Sequence, residues 1–213
     1  AASPISRLVG GSGQDTFNAG AFTLASGVAK GIEISAGDAN DTIILRNKAH
    51  TAASTIDGGG GTGDVLSFVD TVNISDSDLR HVENVETIQL IRAGANVIQV
   101  GANALAGGLK QVIGLNGNDS LDARDYNGAI NLNGVAGNDT LVVATGDLLR
   151  ISNINGGSDV ASLNHDQLVF AVEALSITDA DFVNVTGVEG IRFNGGNNYV
   201  LLGANVGTAG ISS

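Results

Sequence analysis

A single aspartate recurs beside glycine in a series of turns along the sequence, and the turn GGSGQDTFN at residues 10 to 18 is the fullest example. Aspartate has a short side chain that suits turns and can reach a hard cation close to the backbone. Glycine lets the backbone of the same turn direct its carbonyl oxygens toward such an ion. These residue types predict calcium binding at the turns whose acids are Asp15, Asp41, Asp64, Asp119, Asp139 and Asp166.

The intervals between these acids favour a stacked fold. Successive acids are 26 and 23 residues apart in the first half of the chain and 20 and 27 apart in the second. One coil of a β-solenoid needs about this much chain, and stacked coils lie about 4.8 Å apart. Neighbouring carboxylates in such a column would repel by roughly 3 kcal/mol at an effective dielectric near 20. We therefore expect Ca²⁺, which takes about 6 to 8 oxygen ligands, to neutralise the column.

The composition agrees with stacked strands. Of the 213 residues, 43% are hydrophobic but only 4% are aromatic, and 31 are glycine, so burial depends on Val, Ile, Leu and Ala in thin layers. Short apolar runs such as residues 42–45, 65–68, 140–143 and 167–170 alternate with clusters of Gly, Asn, Asp and Ser. No window keeps helical apolar spacing for long. These patterns predict an all-β fold.

Two long internal repeats are visible. DSDLRHVENVETIQL at 76–90 aligns with DADFVNVTGVEGIRF at 179–193, and RLVGGSGQDTF at 7–17 aligns with QVIGLNGNDSL at 111–121. We therefore expect a single β-solenoid fragment over 1–213, with repeats of roughly 1–105 and 106–213, drawn from a longer array.

Charge and residue usage exclude several classes of protein. The net charge is −12, with 17 Asp and 5 Glu against 10 basic residues, so nucleic-acid binding is not expected. The absence of Cys excludes disulfides and thiolate metal sites. No apolar run approaches 18 residues, so we expect no direct membrane insertion.

The motif GGSGQDTFN fits the nonapeptide G-G-x-G-x-D-x-U-x at every specified position, and the chain thereby resembles repeats-in-toxin (RTX) proteins. The resemblance implies an RTX-like parallel β-roll or β-helix with irregular coils of about 20–27 residues, with Phe17 in the core. It also implies Ca²⁺ ligands at the turn residues, which are Gly11, Gly13, Asp15, Asp41, Gly61, Gly63, Asp64, Gly117, Asn118, Asp119, Gly137, Asn138, Asp139 and Asp166.

The whole pattern is similar to the solenoid repeats of bacterial surface-layer (S-layer) proteins. That resemblance implies an extracellular, cell-surface structural segment in which Ca²⁺ supports folding and lattice assembly. It implies self-association into a lattice or stacked array, and contact with cell-surface polysaccharide through another domain. The alternative is the RTX module of a type I-secreted adhesin, toxin or exoenzyme.

Plainer interpretations of these residues stay open. The Gly-Asn-Asp turns could be ordinary turn and strand-capping chemistry. The acids of residues 76–78 and 179–181 could bind a second ion, although capped turns are preferred, and Glu86 and Glu189 are interpreted as hydrogen-bonded acids of a repeating turn. A carboxylate pair for glycoside hydrolysis is the best enzymatic rival, but no enzyme is expected because aromatic sugar platforms are lacking. His50, His81 and His165 are expected at the surface.

Overall fold

The computed structural model describes residues 6–21, 31–145, 149, 152–158, 165–173 and 175–211. Twenty short strands lie within these ranges, and every pair of neighbouring strands is parallel. The strands are β1 Arg7–Val9, β2 Thr16–Asn18, β3 Glu33–Ser35, β4 Thr42–Leu45, β5 Thr55–Asp57, β6 Val65–Phe68, β7 Asn73–Ile74, β8 Val82–Glu83, β9 Thr87–Leu90, β10 Val97–Gln99, β11 Gln111–Ile113, β12 Ser120–Asp122, β13 Asn131–Asn133, β14 Thr140–Val143, β15 Asn153–Asn155, β16 Gln167–Phe170, β17 Ser176–Ile177, β18 Val185–Thr186, β19 Gly190–Phe193 and β20 Tyr199–Val200.

The strands form four sheets. Sheet I has the order β1-β3-β5-β8, and sheet II has the order β2-β4-β6-β9-β11-β13-β15-β18. Sheet III has the order β7-β10-β12-β14-β16-β19, and sheet IV pairs β17 with β20. The chain therefore returns to the same sheet after two or three strands, and we call the stretch between two neighbouring strands of a sheet one pass.

One apolar side chain per strand points into the core, because short strands alternate a buried residue with outward-facing neighbours. In-register pairing stacks these side chains in columns, as when Leu132 lies between Val112 and Ile154 in sheet II. Most of the columns are fully buried. Aliphatic burial of this kind, with few aromatics, is the main stabilising term of the stack.

Three short α-helices decorate the passes. They are α1 Lys48–Ala53, α2 Ala102–Ala106 and α3 Ala204–Ala209, and two 3-10 helices cover Asp76–Leu79 and Asp179–Phe182. Asn47 caps α1 by accepting the Ala49 N–H at 3.1 Å. His50 lies buried in α1, so the expectation that it is a surface residue is wrong, whereas His81 and His165 are exposed as expected.

The aligned segments of the two repeats form the same elements in different sheets. The 3-10 helix, β8, β9, β10 and α2 recur in order as the second 3-10 helix, β18, β19, β20 and α3. However, β8, β9 and β10 lie in sheets I, II and III, whereas β18, β19 and β20 lie in sheets II, III and IV. The shift arises after α2, where β11 pairs with β9 of sheet II rather than with β8 of sheet I.

The mostly-β prediction is confirmed, with all sheets parallel. Strands were predicted at residues 42–45, 65–68, 140–143 and 167–170, and each is found at those bounds. The three-residue strands that precede the glycine turns, such as β5 and β13, were not predicted. Each has one apolar residue between polar ones, a pattern too short to distinguish from a loop.

Candidate functional site

The turn acids of the first repeat form a chain of hydrogen bonds that crosses from pass to pass. The Asp41 carboxylate accepts the Asp15 N–H at 2.7 Å, and the Asp64 carboxylate accepts the Asp41 N–H at 2.6 Å. The Glu86 carboxylate then accepts the Asp64 N–H at 2.9 Å. We call these four residues the first acidic ladder.

A second acidic ladder runs through the second repeat and contains Asn96, Asp119, Asp139, Asp166 and Glu189. The carboxylates of Asp119, Asp139 and Asp166 accept the N–H of the preceding member at 2.9, 2.7 and 2.6 Å. Glu189 accepts the Asp166 N–H at 2.8 Å, and the Asn96 amide oxygen accepts the Val72 N–H at 2.9 Å. The predicted acids therefore lie in two ladders rather than one column, because the first ladder precedes strands of sheet II and the second precedes strands of sheet III.

The ladder position needs an acid for a backbone reason. Successive N–H groups of a strand point in opposite directions along a parallel sheet. The Thr42 N–H donates to the Asp15 carbonyl of the preceding pass at 2.9 Å, so the Asp41 N–H points toward the following pass. There the Asp64 carboxylate supplies the acceptor. Without it, a buried N–H would be left without a partner, which costs about 1–3 kcal/mol.

Both ladders end in glutamate at a local irregularity of the strand. The N–H groups of Glu86 and Thr87 both donate to the Asp64 carbonyl, at 3.2 and 3.0 Å, and Glu189 and Gly190 do the same to Asp166. One extra residue is thereby accommodated, as in a β-bulge. The longer glutamate side chain spans the altered separation, which agrees with the interpretation of both residues as hydrogen-bonded acids.

The second carboxylate oxygens differ from turn to turn. Asp15 Oδ2 accepts the Gly11 N–H at 3.0 Å, and Asp119 Oδ2 accepts the Leu115 N–H at 3.1 Å. In contrast, Oδ2 of Asp41 and Oδ2 of Asp64 are buried and accept no hydrogen bond from the described part of the chain. Both residues are only 1% exposed, so two adjacent rungs carry uncompensated carboxylate oxygens.

The Asp64 carboxyl reflects this crowding. Burial raises its pKa, the hydrogen bond from the Asp41 N–H opposes the rise, and the negative charges of Glu86, Asp41 and Asp57 add to it. The net effect is a raised pKa. The folded protein therefore favours the protonated form of Asp64, as expected for like charges held close together away from water.

The predicted glycine and asparagine ligands fall into two groups. Gly11 and Gly13 have open space where a Cβ would stand. Gly61, Gly117 and Gly137 have φ of 135°, 135° and 130° and lie against the backbone of a neighbouring pass. Of the remaining ones, Gly63 lies against the Asn40 side chain, and Asn118 accepts the Asn138 N–H at 3.0 Å. Glycine is thus required in the second group by backbone conformation and close stacking.

The donor set can be compared with the needs of Ca²⁺. Oδ2 of Asp41 and Oδ2 of Asp64 are free oxygen donors of the right chemistry, and a cation there would relieve their repulsion. However, no group of three or more His, Cys, Asp or Glu side chains is arranged around one point within the described ranges. The residues fit a cation held by these two oxygens only if water or turn carbonyls supply the other ligands.

The acids of the two 3-10 helices have a structural task. The Asp76 carboxylate accepts the N–H groups of Gly101, Asn103 and Ala104 at 2.7, 3.0 and 2.9 Å, and so caps α2 of the next pass. Burial acts to raise the Asp76 pKa, but hydrogen bonds led by the Ala104 and Asn103 N–H groups outweigh it, and the pKa is lowered. Asp179 caps α3 by accepting the Asn205 N–H at 3.0 Å. The capped-turn interpretation describes these acids.

The chain matches no protein-family model, no curated protein and no solved structure. Among the helices of the described residues, none has the length and apolar character needed to cross a membrane.

Proposed function

We propose that this chain is a β-solenoid segment with a structural role in a bacterial extracellular surface layer. The observation that carries the proposal is the pair of acidic ladders, in which each pass is tied to the next through a buried carboxylate. Such ties serve the rigidity of a stacked array and leave the acids no freedom for general acid or base catalysis. Each proposed coil corresponds to one pass.

We further propose that Ca²⁺ binds beside Asp41 and Asp64, where the two free oxygens lie. An ion that binds the folded chain but not the unfolded one stabilises it by mass action, by about 2.7 kcal/mol at one hundred times the dissociation constant. Folding would then be favoured outside the cell, where Ca²⁺ is abundant, and the folded array would associate into a lattice.

The calcium proposal is tested by equilibrium dialysis together with thermal unfolding followed by circular dichroism, with Ca²⁺ and with a chelator. We expect Ca²⁺ to raise the unfolding midpoint, and Asp64→Asn to abolish that rise. Asp70→Asn is the matched control, because Asp70 forms an exposed ion pair with Arg46 at 3.3 Å and also loses one negative charge. An unfolding midpoint that chelation leaves unchanged contradicts the calcium part of the proposal.

The alternative is the RTX module of a type I-secreted adhesin, toxin or exoenzyme. The same stacked fold and the same ion would serve there as a folding and secretion module. The two functions differ in the longer protein: many further repeats favour the surface layer, and a catalytic domain favours the exoenzyme or toxin.

A further inference from the structure

Core side chains are incompletely covered at one end of the sheet stack, which is formed by β19, β20 and α3. Leu202 is 52% exposed, whereas its counterpart in the first repeat, Val100, is 1% exposed. Val200 is half-buried, and its counterpart Ile98 is fully buried. Within the described residues, the edges of β19 and β20 that face away from the stack have no partner strand.

The interior of the chain shows what covers the corresponding edges in the first repeat. After α2, β11 pairs with β9, and β12 pairs with β10. Leu121 thereby stacks on Ile98, and the Val100 N–H donates to the Asp122 carbonyl at 2.8 Å. Asp119 accepts the Asn96 N–H at 2.9 Å. A strand preceded by a glycine turn and an aspartate is therefore the covering element.

The opposite end of the stack presents the same kind of element. The segment at 7–17, which forms β1 and β2, aligns without gaps with the segment at 111–121, which forms β11 and the start of β12. Leu8 and Phe17 are half-buried, whereas their counterparts Val112 and Leu121 are fully buried. Each end thus lacks what the other end carries.

The free hydrogen-bonding groups at the two ends are complementary as well. Asp15 Oδ1 accepts no hydrogen bond in the described ranges, whereas the equivalent oxygen of Asp119 accepts the Asn96 N–H. Asn198 is the counterpart of Asn96, since its side chain accepts the Leu175 N–H at 3.0 Å. No acceptor for the Asn198 N–H occurs among the described residues. One end offers the acceptor and the other the donor.

We propose that the chain binds a second copy of itself head to tail, with β1 of the second copy added to β19 and β2 of the second copy added to β20. The register follows from the interior pairs: Leu8 of the second copy lies on Ile191, and Phe17 of the second copy lies on Val200. Asp15 of the second copy accepts the Asn198 N–H. The inference deepens the proposed self-association and rests on it only for the existence of an assembly.

Such an interface joins two different surfaces, so it does not close on itself in a dimer. A heterologous contact of this kind generates open linear chains of subunits. The added strands continue sheets III and IV across the junction, as in recognition by strand addition, and the ladder continues through Asp15. The exposed strand edges, which are an association hazard in a lone protein, become the connection.

Sedimentation velocity over a concentration series, with and without Ca²⁺, tests the proposal with two variants, each blocked at one end. Leu202→Asp places a charge on the apolar end surface. Thr16→Pro removes an N–H from the free edge of β2, where no strand of the same chain is paired. Val183→Asp is the control for added charge, since Val183 is 62% exposed and lies in neither end strand.

We expect the wild-type chain and Val183→Asp to form dimers, trimers and longer species, and each blocked variant to associate at least about tenfold more weakly. A mixture of the two blocked variants should form a one-to-one dimer that grows no further, because one intact end remains on each. A wild-type chain that stays monomeric, a dimer that never grows, or a mixture that stays monomeric overturns the proposal.

The outcomes are separable from failure of the proposed function. Circular dichroism of each variant confirms that the strands are retained, and the Ca²⁺-dependent rise of the unfolding midpoint is measured on the same samples. A chain that keeps its strands and its calcium response but does not associate contradicts head-to-tail stacking alone.

Discussion

Asp64 is the residue at which charge and stability are in most direct conflict. Its carboxyl lies among Glu86, Asp41 and Asp57 with one oxygen unpartnered, and its pKa is raised by burial and by those charges. Asn96 occupies the equivalent place in the second ladder, and its amide nitrogen donates to the Asp119 carboxylate at 2.9 Å. The fold therefore already accommodates an amide at a ladder position.

We expect Asp64→Asn to raise the free energy of unfolding by about 1 kcal/mol at neutral pH without Ca²⁺, because it removes repulsion and keeps the acceptor. A raised folded-state pKa stabilises the fold below the unfolded pKa, and this contribution is lost as pH rises through the folded pKa. The gain over wild type should therefore shrink on acidification. Urea unfolding at several pH values measures it, and a gain that grows toward acid pH contradicts the account.

Asp76 has the opposite dependence. Three backbone N–H groups at the start of α2 hold its pKa low despite burial. Its contribution to stability is present above the unfolded pKa and is lost as pH falls through the folded pKa. We expect Asp76→Ala to lower the free energy of unfolding by about 1–2 kcal/mol at neutral pH.

The measurement for Asp76 is urea unfolding at neutral and acid pH, with Asp70→Ala as the exposed control. The difference between Asp76→Ala and wild type should narrow below the usual aspartate range, where the unfolded-state pKa is about 3.9. An equal loss from the control variant would assign the effect to net charge rather than to the helix cap.

At the scale of elements, the glycine turns separate stacking from motif. Gly137 has a φ of 130°, and a Cβ there would lie 2.1 Å from the Gly117 carbonyl oxygen. Gly13 belongs to the turn with the complete nonapeptide, yet a Cβ there would meet nothing within 4 Å. The better-matched turn is therefore the more tolerant one.

We expect Gly137→Ala to lower the free energy of unfolding by about 1–3 kcal/mol through backbone strain and displacement of the adjacent pass. Gly13→Ala should change it by less than about 0.5 kcal/mol. Urea unfolding compares the two variants, and equal losses would mean that the motif position, not stacking contact, determines the need for glycine.

How far the sequence predicts these elements depends on how much apolar surface each one has. Strands that follow the turns carry two or more apolar residues and were found at their predicted bounds, whereas β5 and β15 have only Ile56 and Ile154 to identify them. The turn acids were identified by spacing, but the target of each carboxylate, the N–H of the preceding pass, depends on register. The division into two ladders depends on the single pairing of β11 with β9.

At the scale of the whole molecule, stability should be graded along the stack, because each pass contacts mainly its neighbours. Leu132 is buried between Val112 and Ile154, whereas Leu8 has a neighbouring strand on one side only. We expect Leu132→Ala to lower the free energy of unfolding by about 2–5 kcal/mol and Leu8→Ala by roughly half as much.

Amide hydrogen exchange complements these unfolding measurements. Protection should be highest in the passes around β9 to β13 and should fall toward β1 and β20, where local opening breaks fewer contacts. Uniform protection along the chain would indicate one cooperative unit and contradict the graded stack.

The displacement of the second repeat by one sheet has a consequence for any longer assembly of such repeats. Each corresponding element moves to the following sheet, from I to II, from II to III and from III to IV. A surface feature encoded once per repeat, such as the cluster of a 3-10 helix with α2 or α3, would then face a new direction at each step. Features of this kind would follow a screw path around the axis, so that one repeated sequence could contact neighbours on several sides.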